Sequence, residues 1–392
     1  MAEVDQAMSA LEPQLVHIYI GNGRDSTGGP GTFIKNFIEV CESHSLAQIS
    51  EIPHEAEAYL VVAESVSIRC LWQFWRTGRP IIHRLGSKRT PIRTSLEQLH
   101  EAGKGRIAYS FALWRSQTRK MLRVWVSVLL ADAVIYQSSF VKRQWVYWER
   151  FRQWLPNRFS AVIVNGQPSG RLLPRQVEAE QSSGTKKIVA AQGFLRKSRI
   201  LAALVEQMID PAFQKQARLR FPKNPVQIDI FGHIERLDGL QATLDAFQKS
   251  QQATPHVWIE FHGLKSNSIV EDALVNPRTV GTMLLHDCSA CPNSAFESQA
   301  LGLPVIGSQG GANPEILLFK ELLIDPFQKS PALFRRQLLF ALEFCLTLPP
   351  QKRTQLADMT ASAFGDNKFE EYLRFIQFVV QEKARQTGRL SH

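Results

Sequence analysis

Short runs of apolar, often β-branched residues recur along the chain, separated by longer stretches whose apolar positions fall three and four apart. The short runs predict strands over 15–20, 59–62, 80–83, 133–136 and 161–164. A second series follows over 187–191, 227–231, 257–261, 282–285 and 304–306. Between them the helical period predicts helices, among them 32–43, 198–208 and 237–250. Strands alternating with helices predict parallel, doubly wound sheets. Two such series in one chain predict an α/β protein with two Rossmann-like domains. After Asp325 the pattern turns wholly helical, over 332–346, 351–363 and 368–383.

A length of 392 residues exceeds one ordinary core and fits two domains. The polar stretch 174–187, with its Ser-Ser-Gly, reads as the linker. The expected division is 1–178, 179–350, and a helical tail over 351–392. No stretch of about 20 apolar residues appears, so no membrane span is expected. The polar, acidic first residues do not read as a signal peptide. Five cysteines, at 41, 70, 288, 291 and 345, make no disulfide framework and suit a reducing cytoplasm.

Charge changes the picture of the first half. Of the 46 Lys and Arg, 20 lie between residues 65 and 176, where only 4 of the 36 Asp and Glu fall. The segment is thus strongly basic in a chain whose net charge is +10. Either it is a solvated basic face, or it meets something anionic: a phosphate-linked acceptor, an anionic membrane surface, or nucleic acid. Aromatic residues interleave with the basic ones at Trp72–Arg76, Trp114–Arg115 and Trp145–Trp154. They predict a partly exposed face in the last of these, with inward packing as the plainer alternative. Nucleic acid is disfavoured because no nucleic-acid-binding signature accompanies them.

Two loops carry candidate chemistry. Gly28-Gly29-Pro30-Gly31-Thr32 follows the first strand and leads into a helix. Gly29 and Gly31 would let a ligand approach the backbone, and the helix start favours an anion. The second is DCSACPNSAFESQALGLPVIGSQGGANPE, residues 287–315. Pro292 suits a helix start, so the amides of Asn293 and Ser294 point outward as a pyrophosphate site. Glu297, one turn on, makes sense as a bidentate acceptor for the hydroxyls of a ribose. After a buried strand, the Gly310-Gly311 loop offers further amides to a donor sugar.

The stretch FESQALGLPVI followed by GGANPE resembles the donor-site signature of glycosyltransferase family 4, retaining enzymes of the GT-B fold. Ala131–Ser138, the segment Val162-Ile163-Val164-Asn165-Gly166, Phe231-Gly232 and Phe261-His262-Gly263 resemble other parts of the family pattern. The resemblance covers most of residues 15–320. It implies two domains facing across a cleft, with the last helix crossing back to the first domain. It also implies transfer of a hexose-type sugar from a UDP- or GDP-sugar to a glycan or glycolipid. No metal or other cofactor is expected, in line with the absence of a D-x-D. The implied setting is cytoplasmic, or peripheral on the inner face of the plasma membrane.

The resemblance also assigns residues. Lys197 takes the place of the family lysine that clamps the diphosphate. Phe194 stands where an arginine is usual, next to Gly193 of the same donor loop, and Arg196 is the expected substitute. The first of two usual glutamates falls on Ser289, with Asp287 as the nearest acid, in a Cys291-Pro292-Asn293 variant of the motif. His83 lies near the place of an acceptor-side histidine, and Leu264 near the base. These departures leave two alternatives: an inactive glycosyltransferase-like scaffold, or a sugar-nucleotide epimerase of the same fold. Cys288 and Cys291 form a lone C-x-x-C with no second pair to complete a zinc site.

Overall fold

A computed structural model describes residues 15–21, 29–45, 47–63, 66–86, 118, 121–168, 184–195, 198–234, 242, 245, 255–286, 289, 291–325 and 330–388. The chain divides into two compact units, 1–168 with 366–392 and 169–365. The linker stretch over 174–183 and most of the predicted helix 237–250 lie outside the described residues.

The first unit runs β1 (Val16–Ile20), α1 (Gly29–His44), β2 (Ala47–Ser50), β3 (Ala58–Val62), α2 (Ile68–Arg76) and β4 (Ile81–Leu85). A helix over 121–130 follows, then β5 (Ala133–Tyr136), α3 (Ser139–Gln144), α4 (Val146–Arg152) and β6 (Phe159–Val162). The six strands are parallel in the order β2-β1-β3-β4-β5-β6. β3, β4 and β5 are buried along their whole length, as strands covered on both faces must be. Because the chain steps one way from β1 to β2 and the other way from β3 to β6, right-handed crossovers put α1 on one face. By the same rule α2, the 121–130 helix and α3–α4 lie on the other.

The second unit runs β7 (Lys186–Leu195), α5 (Arg199–Met208), α6 (Pro211–Arg220), β8 (Val226–Ile234), β9 (Val257–Gly263), α7 (Asn267–Val275), β10 (Thr279–Met283) and α8 (Asn293–Ala300). It continues with β11 (Val305–Ser308), α9 (Asn313–Ile316), β12 (Leu323–Ile324), α10 (Pro331–Thr347) and α11 (Pro350–Phe364). Its strands are parallel in the order β12-β11-β10-β7-β8-β9. Ile188, Ile228, Ile230 and Val257 meet Leu201, Leu204, Leu338 and Leu342 in its main core. α11 stays with this unit: Arg353 is buried and donates to the carbonyls of Val280 and Cys345 at 2.8 and 2.7 Å, and Phe364 packs on Phe296.

The last helix, α12 (Asp366–Gln386), returns to the first unit. Phe369, Tyr372, Phe375, Ile376 and Val379 join Phe33, Phe37, Ile18 and Leu60 in one core. The Tyr372 hydroxyl donates to the Ile163 carbonyl at 2.8 Å, and Lys383 reaches Asp132 at 2.7 Å.

Several boundaries differ from the pattern reading. β6 sits two residues earlier than expected, over Phe159–Val162, because its register against β5 pairs Ala133 with Phe159. β4 extends through Arg84 and Leu85, since the polar pair His83-Arg84 lies within a buried strand. The short edge strands β2 and β12 were not predicted; four and two residues give too little periodicity to read. Among the described residues, no helix is long and apolar enough to cross a membrane.

Two features give predictions about stability. Asp229 of β8 is buried and accepts from Lys187 at 2.8 Å, His262 at 2.9 Å and Gln227 at 2.6 Å. Burial alone would raise its pKa, but these hydrogen bonds and the Lys187 charge hold it below the usual carboxylate value. A depressed folded-state pKa contributes stability above the unfolded value near ~3.9, and that stability is lost as pH falls through the folded value. Asp229→Asn should therefore cost about 1–3 kcal/mol at neutral pH. Urea melts should show the gap to wild type closing as pH falls below about 4. Gly232 has φ +136°, and a Cβ there would lie 1.7 Å from the Gln192 carbonyl oxygen. Gly232→Ala should cost more than about 4 kcal/mol. Gly263→Ala, at φ +66° with open space around it, should cost only about 1–2 kcal/mol in the same melts.

Candidate functional site

In an open parallel sheet the strand order reverses at one point, and helices leaving the two strands there part to opposite faces. This opens a crevice beyond the carboxyl ends of the strands. In the second unit the reversal lies between β7 and β10. Three loops converge on that edge, and hydrogen bonds hold them.

The first leads into α5. Its N-cap Ser198 accepts from the Leu201 amide at 3.0 Å and donates to the carbonyl of Leu285, just past β10. The helix start is thereby tied to the neighbouring strand. Gly193 lies near the end of β7. Arg196 and Lys197 lie outside the described residues, two and one positions before Ser198.

The second loop leads into α8. Pro292 is its N-cap, with φ −74° and ψ 116°, and its side chain makes no cap hydrogen bond. The Ala295 amide turns inward to the Pro292 carbonyl at 3.1 Å. Ala295, Phe296, Ser298 and Gln299 are buried, whereas Asn293 and Ser294 are half-buried and Glu297 is exposed. Gln299 fixes the helix from behind, donating to the Ile316 carbonyl at 3.2 Å and accepting from the Leu318 amide at 2.8 Å. A helix start with outward amides attracts anions. Asp287 lies outside the described residues.

The third loop is the Gly310-Gly311 turn after β11, where Gly311 takes φ +68°. Ser308 accepts from the Gly310 amide at 3.3 Å, and Asn313 donates to the Ser308 hydroxyl and carbonyl, both at 3.1 Å. The Ala312 amide donates to the Ser289 carbonyl at 2.8 Å, pinning this turn to the loop before α8. Ser289, where the family places a glutamate, thus anchors the turn through its backbone. Leu264 is exposed just past Gly263, at the end of β9 and two strands from β7, about 10 Å across the sheet.

The sequence reading missed the residues that hold these loops. Ser198, Ser308 and Asn313 are the ties, and Gln192 is buried at the end of β7 with no partner for its Nε2 among the described residues. Ser198 was legible as an N-cap before an apolar run. The others are legible only once strands are neighbours.

In the first unit the reversal lies between β1 and β3. α1 opens at Gly29 on that edge, and Gly31 falls in its first turn with no acidic residue beside it. His83 is placed differently. Its ring is fully buried under the α2 face, Nε2 lies 2.8 Å from the Ala63 carbonyl, and burial holds the imidazole down at about 4. A neutral, enclosed ring packs and bonds locally, which favours a packing role over acid–base work. Beside it, Arg84 is buried too. Its guanidinium lies 3.7 Å over the Phe33 ring and donates to the Tyr372 hydroxyl at 3.2 Å and to Asn165. Asn165, in the Val162–Gly166 segment that resembles family 4, holds a buried charge here.

Among the described residues, Asp229, Glu260 and His262 are the one group close enough to share a metal ion. The Lys187 ammonium and the Gln227 amide already fill the space between them. Cys291 forms no disulfide among the described residues; Cys288 lies outside them.

No protein-family model matches the chain. No curated protein is detectably similar to it in sequence. Solved structures are similar in fold. A sucrose-phosphate synthase from Thermosynechococcus elongatus matches with a TM-score of 0.53 at 12% identity, over 96% of this chain and 98% of that one. An α,α-trehalose 6-phosphate synthase from Burkholderia multivorans matches with a TM-score of 0.57 at 13% identity, over 92% and 77%. Anabaena HepE, solved in complex with UDP and glucose, matches with a TM-score of 0.51 at 12% identity, over 96% and 100%. The chain has the two-domain α/β fold of these structures.

Proposed function

We propose that the protein is a glycosyltransferase of the family 4 kind. It moves a hexose-type sugar from a UDP- or GDP-sugar to a glycan or glycolipid acceptor, with retention of configuration and without a metal ion. One observation carries this reading: two helices, α5 and α8, start at the same sheet edge where strand order reverses. The N-cap of α8 is Pro292, whose side chain makes no cap hydrogen bond. The structural neighbour solved with UDP and glucose supports a nucleotide-sugar as the ligand.

The chemistry follows from charge. As the glycosidic bond breaks, negative charge grows on the leaving nucleoside diphosphate. Amides and ammonium groups aimed at that position stabilise the transition state more than the ground state. In this reading the amides of Asn293 and Ser294, the Lys197 ammonium and the neighbouring Arg196 serve the diphosphate. In the first unit, the helix start at Gly29 and Gly31 is a second proposed anion-favouring edge. Glu297 accepts from the ribose hydroxyls, and the backbone at Leu264 meets the base. Gly193, Gly310 and Gly311 let the sugar approach, with Asp287 the nearest acid to it. The positive groups supply what a divalent cation supplies in other glycosyl transfers. Exclusion of water matters because hydrolysis is the competing reaction.

Glu297→Ala should weaken UDP or GDP binding about tenfold to a hundredfold, the worth of hydrogen bonds to a charged acceptor. Lys197→Ala should lower turnover about a hundredfold or more with little change in fold. Donor hydrolysis and transfer across a panel of UDP- and GDP-sugars read both effects. Unchanged kinetics in the two variants would mean that the donor sits elsewhere. Activity should survive a chelator; loss of turnover with EDTA, restored by a divalent ion, would remove the metal-independent mechanism. Nucleotide binding with no turnover of any donor would favour the scaffold reading, which the departure at Ser289 keeps in view.

A further inference from the structure

On the first sheet, register places Tyr59, Val61, His83 and Tyr136 on one face, opposite the face that α1 and α12 cover. α2 packs on it through Phe74, whose ring lies 5.2 Å from that of Tyr59. α4 packs on it through Glu149, which accepts from the Tyr136 hydroxyl at 2.6 Å. Tyr59 is on β3 and Tyr136 on β5, so the two helices lie about two strand spacings, ~10 Å, apart.

α4 is inverted relative to an ordinary surface helix. Its inner side carries charge: Glu149 is only 6% exposed, and Arg152, 2% exposed, donates to the carbonyls of Val128, Ala131 and Phe159. The outer side carries Tyr147, 77% exposed, with Val146 and Phe151 exposed as well, and Trp154, 85% exposed, stands in the turn just past the helix. On α4 itself Tyr147, Arg150 and Phe151 fall three and four apart on one stripe; Arg143 on α3 precedes it and Trp154 follows in the turn past α4. α2 shares the exposed rings but keeps an ordinary apolar inner side. Leu71 and Phe74 are buried, while Ile68, Trp72 and Trp75 are exposed beside Arg69 and Arg76, and the two indoles lie 5.0 Å apart. Single exposed apolar side chains are normal on a soluble surface, but ordered rows of them on two neighbouring helices mark an interaction site.

Charge selects the partner. The only acidic residue on α2, α3 and α4 is Glu149, and it points inward. Every charge these helices turn to solvent is positive. A groove of about 360 Å³ between α3 and α4 is bordered by Lys142, Arg143, Val146 and Arg150, and also by Glu149. Rings that stand out one by one between arginines suit the headgroup zone of a bilayer, where aromatic side chains sit at the acyl boundary and arginines reach phosphates. We propose that this face of the first unit, α2 with α3–α4, docks on an anionic lipid surface. The inference does not depend on the donor site of the second unit.

The test uses the full chain with vesicles of phosphatidylcholine alone and of phosphatidylcholine with phosphatidylglycerol. Wild type should co-sediment with the anionic vesicles at least tenfold more than with the neutral ones, and raised salt should release it. Its tryptophan emission should shift blue on binding. Because the substituted side chains are exposed, Tyr147→Ser with Trp154→Ser should keep the wild-type melt and lose binding at least tenfold. Arg143→Gln with Arg150→Gln should lose about fivefold per arginine and flatten the salt dependence. Equal binding to both vesicle types, no binding to either, or variants that bind like wild type would overturn the proposal. So would a wild-type dimer that the ring variants convert to monomer without any vesicle binding, since the face would then join two copies of the chain. Nucleotide binding by the second unit should be the same in every variant, so a failure here leaves the glycosyltransferase reading standing.

Discussion

Parallel pairing is the constraint from which the rest of this molecule follows. Each strand must be reached by a crossover, each crossover is right-handed, and so every helix that follows a strand starts at the carboxyl edge of the sheet. The edge collects positive helix ends whatever the side chains do. At the β7/β10 reversal that general tendency becomes a particular place, because Ser198 ties α5 to the end of β10 and Ala312 ties the glycine turn to Ser289. The hydrogen bonds that define the place come mostly from small residues and backbone. Large functional side chains are added to a frame that is already set.

The first unit solves a different problem, that of charges inside a core. Arg84, Arg152 and Glu149 are all buried, at a cost that only dense hydrogen bonding offsets. Arg152 spends its donors on three backbone carbonyls, and burial lowers its pKa to about 10. Arg84 lies on the Phe33 ring and is held by Asn165 and by Tyr372 of α12. That last contact joins residues 288 positions apart, so the returning helix completes the environment of a charge planted in β4. The same economy explains the exposed rings of α4. With Glu149 and Arg152 occupying the inner side, Tyr147 and Phe151 are left on the solvent side, while Trp148 is half-buried against Trp125.

The sequence by itself determined the class of fold. Runs such as AYLVV and AVIY bury on both faces because a covered parallel strand must, and this is readable from hydrophobicity alone. It also pointed to the helix start at Pro292, since proline without its N–H fits a first turn and little else in a helix. Only the tertiary structure decided which strands are neighbours. From that came the pinning of Ser289 to Ala312, the enclosure of His83, and the metal-like group at Asp229 filled by a lysine from another strand. The partly exposed face expected over Trp145–Trp154 is present in Tyr147 and Trp154, but which rings turn inward, Trp145 fully and Trp148 in part, was decided by the fold. Hydrophobic periodicity records how a segment meets water on average. It holds no information about partners far away in the chain, and the buried charges that turned α4 over are satisfied only by such partners.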